Sequence, residues 1–507
     1  VYLKATANLS TGGTADDVTE VVHPFNVFLA ERVSRIIDLD ICGIDIMTDD
    51  ITQPLKESGG AVLEVNAAPG FRMHLDPTGG LGRNVAEPVV DMLFPPGAPS
   101  RIPIIAITGT NGKTTTTRLT AHIMRTVGHK VGMTCSDGVY IMNRMLMKGD
   151  CTGPASAQFV LKDPLVDLAV LETARGGLVR SGLGFEHCDV AIVTNVAADH
   201  LGLKDIHTLE ELAHVKSTVP RSVRQDGYAI LNADDELVMA MRKQCTSRIA
   251  LFSLDENNRL IRQHCKLGGL AAIYENGFIT ISKGEWKLRI EKAQNVPLTY
   301  GGKAVFNIQN VLPAVLAAFV RGVKIEELRE GLMTFVPSAT QTPGRMNLFQ
   351  FRDFQVMVDY AHNPHGFEAL GRFLSKVPDS PKIGVIAGVG DRRDEDTVNL
   401  GRLSAQMFDE IIIRQDRNLR GKSDDEIIAL MVKGIQEIDP DKKITIIKKE
   451  DEAIRHAIGT APKGSFVTLC SDVVPDALAL VLKLKEEDEK VDFNKADIPN
   501  RNKELVG

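Results

Sequence analysis

An α/β protein built around a phosphate-binding parallel sheet is the fold class this sequence predicts, and three observations carry it. Ile102–Thr108, Val166–Glu172 and Asp189–Thr194 are short, largely apolar runs, each followed by a turn rich in Gly or Asn. Apolar strands of this kind, separated by helical patterns, mean a parallel sheet covered on both faces. The first run leads straight into a glycine-rich turn and a helix that carries Leu119, Ile123 and Val127 along one side. After Thr342-Pro343-Gly344 the alternation begins again with Gln355–Asp359, Ile383–Ala387, Ile411–Arg414, Lys443–Ile447 and Ser465–Leu469, which reads as a second, smaller doubly wound unit.

The remaining elements follow in chain order. Residues 1–94 mix a helical stretch, His23 to Asp38, with strand-like runs at Cys42–Met47 and Ala61–Val65. Pro95-Pro96-Gly97-Ala98-Pro99 interrupts any regular element and reads as a linker. Ala271–Tyr274 and Phe278–Ser282 flank Glu275-Asn276-Gly277, a hairpin with an Asn-Gly turn. A helix is expected at Asn310–Arg321, and the charged end from Lys485 to Gly507 reads as a frayed tail.

Composition narrows the class of function. At 507 residues the chain has room for about three domains. A formal charge of −7 argues against a dedicated nucleic-acid binder. No apolar run reaches the roughly 18 residues of a membrane span. Seven scattered cysteines without a Cys-x-x-Cys pair fit a reduced, cytoplasmic protein rather than a disulfide scaffold or a zinc site. The first residue is Val1 and no secretion signal follows, so the chain is expected to start partway through a longer protein.

The residues that point to chemistry gather at strand ends. In Thr108-Gly109-Thr110-Asn111-Gly112-Lys113-Thr114-Thr115, backbone N–H groups at a helix N-terminus cradle phosphate, Lys113 neutralises it and Thr114 can ligate magnesium. The position five before Gly112 holds Ile107 rather than Gly, so this is a shortened variant of the common loop. Glu172 and His200 follow two further strands and are placed to reach the same magnesium. Lys216 falls in phase with the apolar face of Leu209, Leu212 and Ala213: either it snorkels, or it is held at the site, open to conversion by CO2 into a carbamate. Arg345, at the junction of two domains, reaches phosphate when the domains close. Asp359 with His362, and the loop Asp391-Arg392-Arg393, also follow buried strands. In the first zone alternation puts Glu64 and Asn66 on one sheet face with Asp45 opposite, an oxygen set suited to magnesium between nucleotide phosphates.

Gly109 to Thr115, Asp199-His200, Leu231-Asn232-Ala233-Asp234-Asp235, Pro343-Gly344-Arg345 and Asp359-Tyr360-Ala361-His362-Asn363-Pro364 resemble the Mur ligase family in order and spacing. Through Asp45, Glu64 and Asn66 the first zone resembles the final part of an ATP-grasp ligase. The resemblance implies the end of an ATP-grasp domain over 1–95, a Mur ligase-like phosphate-loop domain over 100–343, a smaller Rossmann-like domain over 344–487 and a tail over 488–507. The ATP-grasp part lacks the upstream nucleotide-binding lobe, so the chain is expected to be a fragment or a natural truncation.

An ATP-grasp unit directly followed by a Mur-like unit is similar to ligases that polymerise aspartate and arginine without a ribosome, as are Asn8–Thr14 and Glu172–Leu178. The resemblance implies ATP and Mg2+ as cofactors and L-arginine, L-aspartate and a growing Asp/Arg primer as partners. It also implies a homo-oligomer, with neither nucleic acid nor membrane involved. The ATP-grasp half would add Asp to the backbone, and the Mur-like half would join Arg to the aspartate β-carboxylate through an acyl phosphate. Lys113, Thr114 and Arg345 would hold phosphates. Thr114, Glu172, His200 and Lys216 would serve the metal, Asn310 the adenine and Asp359 the ribose. His362, Asp391, Arg392 and Arg393 would serve the incoming amino acid. Two other readings stay open: an amide ligase for another amine, such as a folate polyglutamylating or dipeptide-polymerising relative, and an ATP-binding module without turnover.

Overall fold

The computed structural model describes residues 13–199, 201–202, 206–378, 380–390, 392–415 and 422–496. Contacts divide the chain into two units, Val1–Arg101 and Ile102–Gly507, with the proline-rich segment 95–99 at the end of the first.

In the first unit a helix spans Pro24–Ile37, started by the ring nitrogen of His23 accepting from the Phe25 N–H and by proline at its first position. It ends at Asp38, whose φ of 61° is left-handed. Strands β1 (Gly43–Met47) and β2 (Ala61–Asn66) pair antiparallel. Asn26, 1% exposed, ties this unit together: its amide donates to the carbonyls of Ile51 and Gln53, and its oxygen accepts from Leu55 N–H.

The second unit holds two sheets. The larger comprises β3 (Ile104–Thr108), β4 (Val131–Cys135), β5 (Gly138–Ile141), β6 (Arg144–Lys148), β7 (Leu168–Glu172), β8 (Cys188–Val193), β9 (Val223–Asn232), β10 (Arg248–Ser253), β11 (Leu270–Glu275), β12 (Phe278–Lys283) and β13 (Trp286–Lys292). Their order is β13-β12-β11-β10-β9-β8-β3-β7-β4-β5-β6. The pairs from β11 through β4 are parallel, and the two hairpin edges are antiparallel. Every residue of β3, β4 and β7 is buried, as strands covered on both faces require. Ile105 and Ile107 are wholly buried, each contributing on the order of 1.5–3 kcal/mol.

The Asn-Gly hairpin expected between β11 and β12 is present, with Asn276 and Gly277 at φ 51° and 81°. The helix expected to start at Asn310 begins earlier and spans Val305–Val320. Asn307 enters it without penalty because its amide donates to the Leu298 carbonyl at 2.9 Å.

The smaller sheet comprises β14 (Asn347–Gln350), β15 (Gln355–Asp359), β16 (Lys382–Ile386), β17 (Glu410–Ile413), β18 (Lys443–Ile446) and β19 (Phe466–Cys470), ordered β14-β15-β19-β16-β17-β18. Only β14 runs antiparallel to its neighbour. The final helix, Val474–Ala496, continues through the first half of the segment read as a frayed tail. Buried Leu478 and Val481 anchor its early turns, and the charged turns extend from them.

Candidate active site

The order β8-β3-β7 explains why three loops meet. Strand β3 lies between two parallel neighbours, so Gly109, Thr173 and Thr194 all leave the sheet at one carboxyl edge. The helix Lys113–Thr126 opens there with its N-terminus toward a cleft of about 1270 Å³. Two glycines make the loop fit. Gly109 has φ 141°, and a Cβ there would lie 1.9 Å from Thr194 Oγ1; Gly112 has φ 83°, and a Cβ there would lie 2.1 Å from Asn310 Oδ1. The loop is cross-tied to β8's end: Asn195 Oδ1 accepts from the Asn111 N–H at 2.9 Å, and Thr194 Oγ1 donates to the Asn111 carbonyl at 2.7 Å.

Around this loop the polar groups converge. Lys113 Nζ donates to the Thr110 carbonyl at 2.8 Å. Thr114 Oγ1 lies 3.1 Å from Ser136 Oγ, and the Ser136 N–H donates to Glu172 Oε2 at 3.2 Å. Glu172 is 3% exposed; burial pushes its carboxyl upward, and Lys113, Thr114 and Arg345 pull it back down. Arg345 comes from the start of the smaller domain. Its Nη2 donates to Ser136 Oγ at 3.3 Å and Thr114 Oγ1 at 3.5 Å, and its guanidinium lies 4.7 Å from the Tyr360 ring centroid.

Lys216 projects from the helix Leu209–Arg221, which begins with a capping box between Thr208 and Glu211. The side chain is 3% exposed, and its Nζ donates to the Gly109 carbonyl at 2.7 Å. Burial first, then Lys113 and Arg175, lower its pKa to about 7, against an opposing pull from Asp199. The amine is therefore largely uncharged at mildly alkaline pH, the form that reacts with CO2. It does not snorkel.

Asp199 bridges the two domains of this unit. Its carboxylate is 2.8 Å from Arg392 Nη2 and 3.6 Å from His362 Nε2. Asp359 is half-buried; desolvation pushes its carboxyl upward, while the Met346 and Ala361 N–H groups donate to its two oxygens at 2.8 and 2.7 Å. Asn310, on the helix that packs against the phosphate-loop helix, also lines the cleft.

The structure thus brings together Gly109, Thr110, Asn111, Gly112, Lys113, Thr114 and Thr115 with Glu172, Lys216, Asn310, Arg345, Asp359 and His362. Arg393 is not brought in: its guanidinium pairs with Asp396, one helical turn on, in solvent. Arg392 is engaged by Asp199 rather than facing the cleft. His200 and Asp391 lie outside the described residues, as do residues 8–12. Asp45 and Glu64 are direct cross-strand partners, and Asn66 follows two residues on, so the three share a face of the first unit's sheet.

Sequence reading quoted Asn363 within a motif without giving it a role, and missed Ser136 and His365. Asn363 and Asn111 bond side chain to side chain, and Asn111 Nδ2 also lies 2.8 Å from His365 Nδ1. Ser136 was findable, since it follows a strand at the same edge as Glu172.

The oxygen donors fit a small hard cation. Mg2+ is usually held by one or two carboxylates plus phosphate oxygens and water, and Thr114 with buried Glu172 supplies such a half-shell beside the phosphate loop.

Comparison with known proteins identifies the domains that carry these residues. The family model for the Mur ligase middle domain matches residues 107–318, and that for the Mur ligase, glutamate ligase domain matches 344–473. The fold is that of the Mur ligases, and over these stretches, about two thirds of the chain, the protein carries that family's middle and C-terminal domains. An ATP-grasp domain is not among the matches, which leave residues 1–106 uncovered.

Among individual proteins, the chain is 55% identical over 481 residues to a cyanophycin synthetase of Crocosphaera subtropica, covering 95% of this chain and 55% of that protein. It is 51% identical over 504 residues to one of Trichormus variabilis, covering 99% and 56%. The chain therefore spans a little over half the length of these curated relatives. Among solved structures, E. coli FolC in complex with DHPP and ADP aligns with a TM-score of 0.56 at 17% identity, over 77% of this chain and 89% of that one. MurF from Acinetobacter baumannii aligns with 0.54 at 19%, over 76% and 77%.

Among the described residues no helix is long and apolar enough to cross a membrane.

Proposed function

We propose that this chain is an ATP-dependent amide ligase of the cyanophycin synthetase type, and that its Mur-like domains join L-arginine to the β-carboxylate of an aspartate in an Asp/Arg peptide. The observation that carries this reading is the meeting of Lys113, Thr114, Glu172 and Arg345 at one phosphate loop, with the arginine delivered by the second domain. A module that only bound nucleotide would have no use for a buried carboxylate and a second-domain cation at that point.

The acceptor carboxylate attacks the ATP γ-phosphate, giving an acyl phosphate and ADP; the arginine α-amine then displaces phosphate to form the isopeptide bond. Catalysis is positioning plus neutralisation of developing charge. Lys113 and Arg345 supply fixed positive charge to the phosphates. Thr114 and Glu172, with His200, would hold Mg2+, which when bound adds further charge neutralisation. Lys216, its amine uncharged, adds to CO2 with loss of one proton, and the resulting carbamate would be an anion between Lys113 and Arg175 where a cation is disfavoured. Asn310 would serve the adenine and Asp359 the ribose, and His362 would serve the incoming amino acid.

We read residues 1–95 as the end of an ATP-grasp unit whose Asp45, Glu64 and Asn66 serve the aspartate-adding step of the longer enzyme, and the assembly as a homo-oligomer. The experiment for the arginine-adding half is ATP-dependent phosphate release with an Asp-ended Asp/Arg primer, with and without L-arginine. Release stimulated by arginine and abolished by Lys113→Ala is the expected result. No stimulation, with ATP still bound, would overturn the arginine assignment.

A further inference from the structure

Strand β6 is the outermost strand of the large sheet, paired to β5 on one side and to no described strand on the other. All five of its residues are exposed. An edge like this offers a row of backbone N–H and C=O groups to any extended chain.

Its register is broken in a way that aims it. Gly138 faces Lys148, Val139 faces Met147 and Tyr140 faces Met145, so Leu146 is an extra residue on β6. Directly opposed residues share a face. Met145 and Lys148, three apart, would point to opposite faces of an unbroken strand. The bulge turns both to the side of Gly138 and Tyr140, and Tyr140, Met145 and Lys148 all line the cleft that holds the phosphate loop. Tyr140 is locked in place, donating to Asp137 Oδ2 at 2.6 Å and accepting from Arg118 Nη2 at 2.8 Å.

Two exposed cations also line this cleft. They are Lys148 and Arg180, and neither forms an ion pair among the described residues. Arg175 opens the helix Arg175–Ser181 that carries Arg180. Of the carboxylates beside β6 in the cleft lining, Asp137 is paired with Arg118, and Asp150 accepts from the amide and hydroxyl of Thr152.

We propose that β6 is the docking strand for the acceptor: an extended, carboxylate-bearing peptide adds to its free edge through backbone hydrogen bonds, with its side-chain carboxylates toward Lys148 and Arg180. This rests on the amide-ligase reading above. Recognition through the backbone is tolerant of side chains, which suits a polymer whose acceptor end changes with every addition. Arg144 and Lys148 put a positive charge at each end of β6, which attracts an acidic peptide and repels the like-charged edge of a second copy, so the peptide is the occupant.

The test is fluorescence anisotropy on the full chain with two labelled probes, octa-aspartate and the same peptide N-methylated at alternate amides. N-methylation is expected to weaken binding about tenfold, the equivalent of one or two lost backbone hydrogen bonds. Lys148→Glu combined with Arg180→Glu is expected to weaken the parent peptide by a similar factor, with ATP affinity measured on the same samples to report folding. Equal binding of both peptides, or no binding of either, overturns the docking strand. So does a dimer in light scattering that Lys148→Glu dissociates, because a second copy then holds the edge. Arginine-stimulated phosphate release is followed with the same peptides: backbone-dependent binding without stimulated release sinks the arginine assignment alone, and release equally efficient with both peptides sinks the docking strand alone.

Discussion

Asn111 of the phosphate loop and Asn363 at the start of the helix Pro364–Leu374 exchange side-chain amide hydrogen bonds in both directions, at 3.3 and 3.1 Å. Asn363 is 1% exposed, and its oxygen also caps its own helix by accepting from the Gly366 N–H at 2.8 Å. One side chain thus links the fold of the smaller domain to the shape of the nucleotide loop.

Asn363→Ser separates these duties, because a serine hydroxyl still caps the helix but is too short to reach Asn111. Phosphate release is expected to fall about tenfold, while stability changes by less than about 1 kcal/mol. Thermal unfolding beside steady-state kinetics measures both, and an equal loss in the two would show that only the cap matters.

Gly112→Ala puts a methyl group 2.1 Å from Asn310 Oδ1 at a left-handed φ. ATP affinity is expected to drop by about a hundredfold, the backbone penalty being only about 1–2 kcal/mol of it. Gly128→Ala is the control: its φ is 95° with nothing within 4 Å, so thermal unfolding should find stability reduced while titration calorimetry finds ATP affinity retained.

Lys216→Ala should abolish turnover, and acetate or another short-chain carboxylate should restore part of it by supplying the missing anion. Unchanged activity in the variant would remove the carbamate from the mechanism. In the parent, carbon-13 spectra with labelled bicarbonate should contain a carbamate resonance that Lys216→Ala lacks.

His122 sets a pH dependence of stability. Gln341 Nε2 donates to its Nδ1 at 3.1 Å, so the ring is neutral with its proton on Nε2, toward Thr334 Oγ1 at 2.8 Å. Burial, with Arg125, lowers its pKa from 6.5 to about 4. The unfolded chain therefore binds more protons between those values, and the contribution present above pH 6.5 is lost as pH falls toward 4. The melting temperature should decline from pH 7 to pH 5, and His122→Gln should flatten that decline.

Much of this architecture was legible because buried parallel strands write themselves as unbroken apolar runs. The phosphate loop, Glu172 and Arg345 stood at the ends or junctions of such runs, and the structure places them together. Strand β6 was illegible for the opposite reason: it is exposed on both faces, and its bulge destroys the two-residue period. Asn111 and Asn363 are partners across 252 positions, a pairing that no local pattern encodes. The charged end looked unfit for a helix, yet buried Leu478 and Val481 hold its first turns against the smaller sheet's core.

Arg345 lies over the ring of Tyr360, a residue of its own domain, at 4.7 Å. An arginine side chain otherwise carries about 2 kcal/mol of rotamer entropy. That cost is met when the smaller domain folds, not when nucleotide arrives. The guanidinium meets the phosphate loop with its direction already chosen, so ligand binding is relieved of a conformational search that a flexible cation would impose on every turnover.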